Sequence, residues 1–135
     1  GLGKAAAIAK EEMNQENQKI TQLACRFYDG IMDLPKVYLN GDKDNRLPNT
    51  INISIDGVDA EALIIKIRNE FAIASGSACT SAEVFPSHVI MAMYNNEDKA
   101  YSSIRISIGK DTKESELDNF INEISLRICK VKSII

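Results

Sequence analysis

The chain has 135 residues, with 16 Lys+Arg against 19 Asp+Glu for a formal net charge of −3, and is 44% apolar and 26% charged. That balance excludes a disordered or collagen-like chain, and without a basic stripe it argues against direct nucleic-acid binding. The longest unbroken apolar run, residues 89–94, falls far short of the roughly 20 residues a membrane helix needs, and no cleavable leader opens the sequence, so a soluble cytoplasmic domain is expected.

Residues 1 to about 34 read as one long helix, with Ile20, Leu23, Phe27, Ile31 and Leu34 recurring on one face and Pro35 stopping it. Its first part is Ala-rich, then polar, and is expected to bend or project from the core. Val37-Tyr38-Leu39 is a short strand ending at Asn40-Gly41, followed by a charged loop over 42–46. Alternation over 50–56 puts Ile51, Ile53 and Ile55 on one face of a half-buried strand, and Asp56-Gly57 is a turn. Asp59 caps a helix running to about Glu70, with Leu63, Ile64 and Ile67 inward. A short apolar strand over 71–74 precedes a run of small residues, Ser75-Gly76-Ser77-Ala78-Cys79-Thr80-Ser81-Ala82.

Pro86 is placed as the first-turn proline of a short helix through Tyr94, and residues 95–98 read as a loop. Residues 102–108 alternate again, with Ile104, Ile106 and Ile108 opposite Ser103, Arg105 and Ser107. After Gly109 a final helix starts at Asp111 or Thr112, with Glu114 three beyond Asp111 as in a capping box. Leu117, Phe120, Ile121, Ile124, Ile128, Val131 and Ile135 form its apolar stripe. The order αββαβαβα predicts one α+β or α/β domain, a mixed sheet of about four strands packed with helices.

Three cysteines and one histidine cannot readily assemble a zinc site or a disulfide framework, so no metal is expected. Cys25 and Cys129 lie in amphipathic helices near the apolar stripe and read as buried packing residues. Cys79 differs, because its Ser, Gly, Ala and Thr neighbours have little bulk to pin the segment. A thiol there suits a nucleophile that enters a pocket and leaves carrying a group, although a plain loop cysteine fits equally well. Arg105, mid-strand on the polar face, is either a bidentate clamp for a carboxylate or half of a surface ion pair. His88 reads as a half-exposed helix residue rather than a base for Cys79. Ser75-Gly76-Ser77 lacks both G-x-G-x-x-G and a P-loop lysine, which rules out a phosphate cradle.

The segment Ser75-Gly76-Ser77-Ala78-Cys79-Thr80-Ser81, with Pro86-Ser87 and then Ser102-Ser103-Ile104-Arg105-Ile106-Ser107-Ile108-Gly109, closely resembles the NifS/IscS-type cysteine desulfurases. These are pyridoxal-phosphate enzymes of the class V aminotransferase family. The likeness extends through Gly1-Leu2-Gly3-Lys4-Ala5, Val37-Tyr38-Leu39-Asn40-Gly41, Pro48-Asn49 and the closing helix, essentially the whole chain. It implies the small domain of a fold-type I enzyme, with Cys79 as the nucleophile that takes sulfur from cofactor-bound L-cysteine. Alanine then leaves, and the persulfide passes to a sulfur-acceptor protein. It further implies Arg105 as the clamp on the substrate carboxylate, a mobile loop formed by Ser75, Gly76, Ser77, Ala78, Thr80 and Ser81 around Cys79, and a homodimeric full-length enzyme.

One departure matters. The family's cofactor lysine follows a Ser-x-His-Lys type motif, whereas the single histidine here, His88, precedes Val89. The chain is therefore expected to be the C-terminal small domain alone, with the large cofactor-binding domain absent, no cofactor-binding residue of its own and no activity in isolation. A selenocysteine or cysteine-sulfinate lyase of the same family, a non-catalytic sulfur carrier, and an inert scaffold remain as alternatives. The acceptor, in iron–sulfur cluster assembly or nucleic-acid thiolation, is not legible in the sequence.

Overall fold

In the computed structural model, which describes residues 1–75 and 86–132, alternating isoleucines set the frame of the sheet. Strands β2 (Thr50–Ile55) and β4 (Ser103–Ser107) pair at its centre, Ile51 opposite Ile106 and Ile53 opposite Ile104. β1 (Val37–Leu39) lies outside β2 and β3 (Ala74–Ser75) outside β4, giving the order β1-β2-β4-β3. The expected four strands are present, but every pairing is antiparallel rather than mixed. The β1–β2 and β3–β4 connections each bring the chain back at the end of the sheet it left, which suits antiparallel neighbours.

Helix α1 (Leu2–Met32) has 31 residues, about 46 Å at the α-helical rise. Its second half buries Ile20, Leu23, Ala24, Phe27 and Ile31 against the isoleucine face, while residues 1–15 are exposed and project beyond it. Helix α5 (Glu114–Lys132) lies against α1 and buries Leu117, Phe120, Ile124 and Ile128. A Cβ on Gly30 would stand 2.7 Å from Ile121 Cδ1, so the glycine makes room for this helix pair. Helix α2 (Ala60–Ile67) starts where Asp59 accepts the Ala62 N–H at 2.8 Å, and its Ala60, Leu63 and Ile67 complete the core. Each isoleucine or phenylalanine buried here contributes roughly 1.5–3 kcal/mol relative to exposure.

The opposite face of the sheet carries α3 (His88–Tyr94) and α4 (Glu97–Tyr101). Lys99 places its ammonium 5.6 Å from the Tyr38 ring centre and 4.5 Å from that of Tyr94, and the Tyr94 hydroxyl accepts the Gly41 N–H at 2.8 Å. These contacts tie the short helices to the end of β1.

Several local expectations are corrected. Residues 95–98 are not a loop: Asn95, in the left-handed region, ends α3, and Asn96 caps α4 by accepting the Lys99 N–H at 2.9 Å. Pro86 is not a first-turn residue, because Ser87 is the cap of α3 and Pro86 precedes it. The final helix starts at Glu114 instead of Asp111 or Thr112. Glu116 reaches back to the Lys113 N–H at 2.8 Å, while Thr112 is engaged with the Gly109 N–H at 3.0 Å. α2 stops at Ile67 rather than near Glu70, and the strand expected over 71–74 shrinks to Ala74–Ser75. Phe71 instead packs edge-on against Phe120 at 5.2 Å, as part of the helical layer.

Candidate functional site

Arg105 stands at the middle of β4, facing Asn52 of β2 on one side and Ala74 of β3 on the other. The Ile55 N–H donates to the Ser102 carbonyl at 3.0 Å and the Ile108 N–H to the Asn49 carbonyl at 2.8 Å, marking two hydrogen-bonded rungs of the β2–β4 ladder. Rungs alternate in an antiparallel pair, so Asn52–Arg105 and Ser54–Ser103 are the narrow, non-hydrogen-bonded pairs whose side chains come closest. All four project from the face opposite the isoleucines.

Arg105 is exposed and makes no hydrogen bond or ion pair with any described residue. The surface ion pair left open by the sequence is thus not formed among these residues. By contrast, Arg26 binds Asp118 at 3.0 Å, and that hydrogen bond, then the charges of Asp118 and Glu114, raise its pKa. A guanidinium held on a strand without a protein carboxylate can donate two parallel hydrogen bonds to an incoming one.

Sequence reasoning missed the polar network beside it. Asn40 is only 8% exposed, and its Nδ2 donates to Asn52 Oδ1 at 2.8 Å and to Ser103 Oγ at 2.9 Å. Ser54 Oγ donates to Asn40 Oδ1 at 3.4 Å, and Ser103 Oγ donates to the Lys99 carbonyl at 2.6 Å. Every polar atom of the Asn40 side chain is therefore used, which is what makes its burial tolerable. The alternation of β2 does place Asn52 and Ser54 on the polar face, but only the register puts Asn52 opposite Arg105.

Ser75, expected in the mobile loop, is the last residue of β3 and pairs with Ile104. Gly76, Ser77, Ala78, Cys79, Thr80 and Ser81 lie outside the described residues. β3 is thus the strand that leads into the cysteine segment, and its Ala74 is the neighbour of Arg105. His88 is the exposed first residue of α3, and Ser87 before it is buried. Cys25 and Cys129 are both exposed, which corrects their reading as buried packing residues. Each follows a buried residue, Ala24 and Ile128, and one step of about 100° along the helix turns it off the core stripe.

The described residues do not fit pyridoxal phosphate. A lysine that bonds the cofactor needs a recess shared with the substrate anchor, and none of the lysines from Lys4 to Lys130 is buried. Lys99 lines an open cleft of about 570 Å³, but that cleft is bounded by Tyr38, Ser54, Asp56, Asp98 and Tyr101 among others, and not by Arg105. Among the described residues no group of three or more His, Cys, Asp or Glu is placed to hold a metal ion, and no helix is long and apolar enough to cross a membrane.

The family described as aminotransferase class-V matches residues 1–120. A protein named cysteine desulfurase IscS from Aeromonas hydrophila is 44% identical over 134 residues, covering 99% of this chain and 33% of the relative. Another of that name, from Ruthia magnifica, is 41% identical with the same coverage. An X-ray structure of a NifS-like protein from Rickettsia africae superposes with a TM-score of 0.80 at 28% identity, over 95% of this chain and 33% of that one. The chain spans about a third of the length of the curated relatives it matches.

Proposed function

Because the chain belongs to the class-V aminotransferase family, we propose that it is the part of a cysteine desulfurase that grips the substrate carboxylate and carries away the sulfur. The observation that carries this reading is Arg105: an exposed mid-strand guanidinium with no described partner, beside the strand that leads into Ser-Gly-Ser-Ala-Cys-Thr-Ser. Relatives named cysteine desulfurase cover the same stretch and support it.

Arg105 anchors and orients L-cysteine by its carboxylate, leaving the substrate sulfur to face the thiol of Cys79. Cys79 is four residues past Ser75, so the chain carries it no more than about 14 Å from the end of β3. A thiolate within that radius attacks the substrate sulfur; the S–S bond of a persulfide forms as the substrate Cβ–S bond breaks, and Cβ takes up a proton to leave L-alanine, the electron sink for this being what pyridoxal phosphate would supply when bound. A thiol on an acceptor protein then attacks the outer sulfur, the S–S bond breaks, and the Cys79 thiolate is restored. Because the single histidine of the sequence, His88, precedes Val89 and no Ser-x-His-Lys type motif is present, the cofactor's seat is assigned to a part of the full-length protein outside this chain, and this stretch alone should neither bind it nor turn over.

The test uses the full-length protein with Cys79→Ser and Arg105→Ala. Cys79→Ser should retain cofactor absorbance but lose persulfide formation, read by mass spectrometry, and alanine release. Arg105→Ala should weaken substrate capture by on the order of 2–4 kcal/mol, seen mainly in KM. Unchanged alanine release in Cys79→Ser would overturn the role of the thiol. Faster alanine release from selenocysteine or cysteine sulfinate than from cysteine would reassign the substrate.

A further inference from the structure

Arg105 is not the only donor on its rung of the ladder. Ser103 Oγ has a single hydrogen and gives it to the Lys99 carbonyl, so toward Asn40 it can only accept. That fixes the Asn40 amide with Nδ2 toward Ser103, and the second hydrogen of the same Nδ2 goes to Asn52. The Asn52 atom receiving it must be Oδ1. Its NH₂ is then turned away from Asn40, and it has no partner among the described residues. Asn52 is half-buried, and among the described residues no buried side-chain polar atom is left without a partner. Asn52 lies on the same face as Arg105, in the same narrow pair.

We propose that Asn52 is the second half of the carboxylate anchor, donating from Nδ2 to one oxygen of the substrate carboxylate while Arg105 binds the other. Asn40 and Ser103 are positioning residues that set the polarity of the Asn52 amide. An isolated asparagine presents either its oxygen or its nitrogen by rotating about χ2, and an outward oxygen would repel a carboxylate. With Ser103 committed to the Lys99 carbonyl and Asn40 donating to both Ser103 and Asn52, that ambiguity is removed. The inference rests on the reading of Arg105 as the carboxylate anchor.

The experiment titrates the full-length holoenzyme with L-alanine and with ethylamine, which lacks the carboxylate, and follows the absorbance of the bound cofactor. The readout is the preference for L-alanine over ethylamine. Asn52→Asp keeps the oxygen that Asn40 needs and replaces only the outward NH₂, so it tests the donor with the network intact. It should lower the preference by roughly tenfold or more, and Asn52→Ala by somewhat less. Arg105→Ala should lower it further. If both Asn52 variants keep the preference, or bind the two ligands more weakly by the same factor, the role of Asn52 is overturned while a loss in Arg105→Ala leaves that of Arg105 standing. If Arg105→Ala keeps the preference, the reading of Arg105 falls and the anchor with it.

Discussion

The two faces of the sheet are specified in opposite ways. The inner face is held by Ile51, Ile53, Ile55, Ile104 and Ile106 against α1, α2 and α5, where contacts are many and non-directional. The outer face has few groups, and each acts through the direction of one hydrogen: Ser103 to the Lys99 carbonyl, Asn40 to Ser103, Asn40 to Asn52. A packed face tolerates a change of shape in proportion to the volume lost. A directional chain instead fails at a single atom, and what fails is orientation before stability.

The largest test of that contrast is Phe27→Ala. Phe27 is fully buried and lies 5.9 Å from the Phe120 ring, so truncation should cost about 3–5 kcal/mol in urea denaturation, by lost transfer energy plus a cavity. A cost under 1 kcal/mol would mean that this face can collapse around a missing ring, against the comparison. Asn40→Ala comes next, at about 1–3 kcal/mol, because it leaves the partners Asn52, Ser54 and Ser103 with unmade bonds. If Asn40 sets the Asn52 amide as proposed, the same variant of the full-length holoenzyme should also lose preference for L-alanine over ethylamine, which a purely structural role would not change.

How much of this was legible in the sequence follows the same division. The isoleucine alternation and the α1 and α5 stripes were readable because burial repeats with the period of the element. Arg105 was placed correctly in the middle of a strand on the polar face for the same reason. Its lack of a described partner was not readable, since that depends on which carboxylates the fold brings near. Asn52 escaped because a cross-strand neighbour is set by register between segments 53 positions apart. α4 was missed because five residues carry too little periodicity, although Asn96 followed by Glu97 and Asp98 is a start signal in hindsight. Cys25 and Cys129 were misjudged by one step of helical phase. Cys79 lies outside the described residues, so its place rests on motif and chain connectivity.

A smaller effect is expected from Asp59→Ala, which removes the acceptor of the Ala62 N–H at the start of α2. About 1 kcal/mol is expected, with no change in the preference for a carboxylate-bearing ligand. This sharpens the comparison, since a cap on the helix side should move stability alone. A shift in ligand preference with Asp59→Ala would show that the two faces are coupled.

The smallest expected effect lies at Asp42, just past the Asn40-Gly41 turn, and it separates a charged directional contact from a neutral one. Its Oδ1 accepts the Asn45 N–H at 2.7 Å and the Asp44 N–H at 2.8 Å, and these bonds, that from Asn45 foremost, lower the carboxyl pKa below its ordinary value. A carboxyl depressed in the folded state contributes stability above its unfolded pKa, and loses it as pH falls through the folded value. Asp42→Asn should therefore be slightly less stable than the parent at neutral pH, with the gap closing on acidification through and below the ordinary carboxylate range. Added salt should shrink the gap, because the group is fully exposed. The chain of Asn40, Asn52, Ser54 and Ser103 holds no titrating side chain, so the cost of Asn40→Ala should stay constant over the same pH range. A gap at Asp42 that persists in acid would mean that the turn is held by its shape and not by its charge.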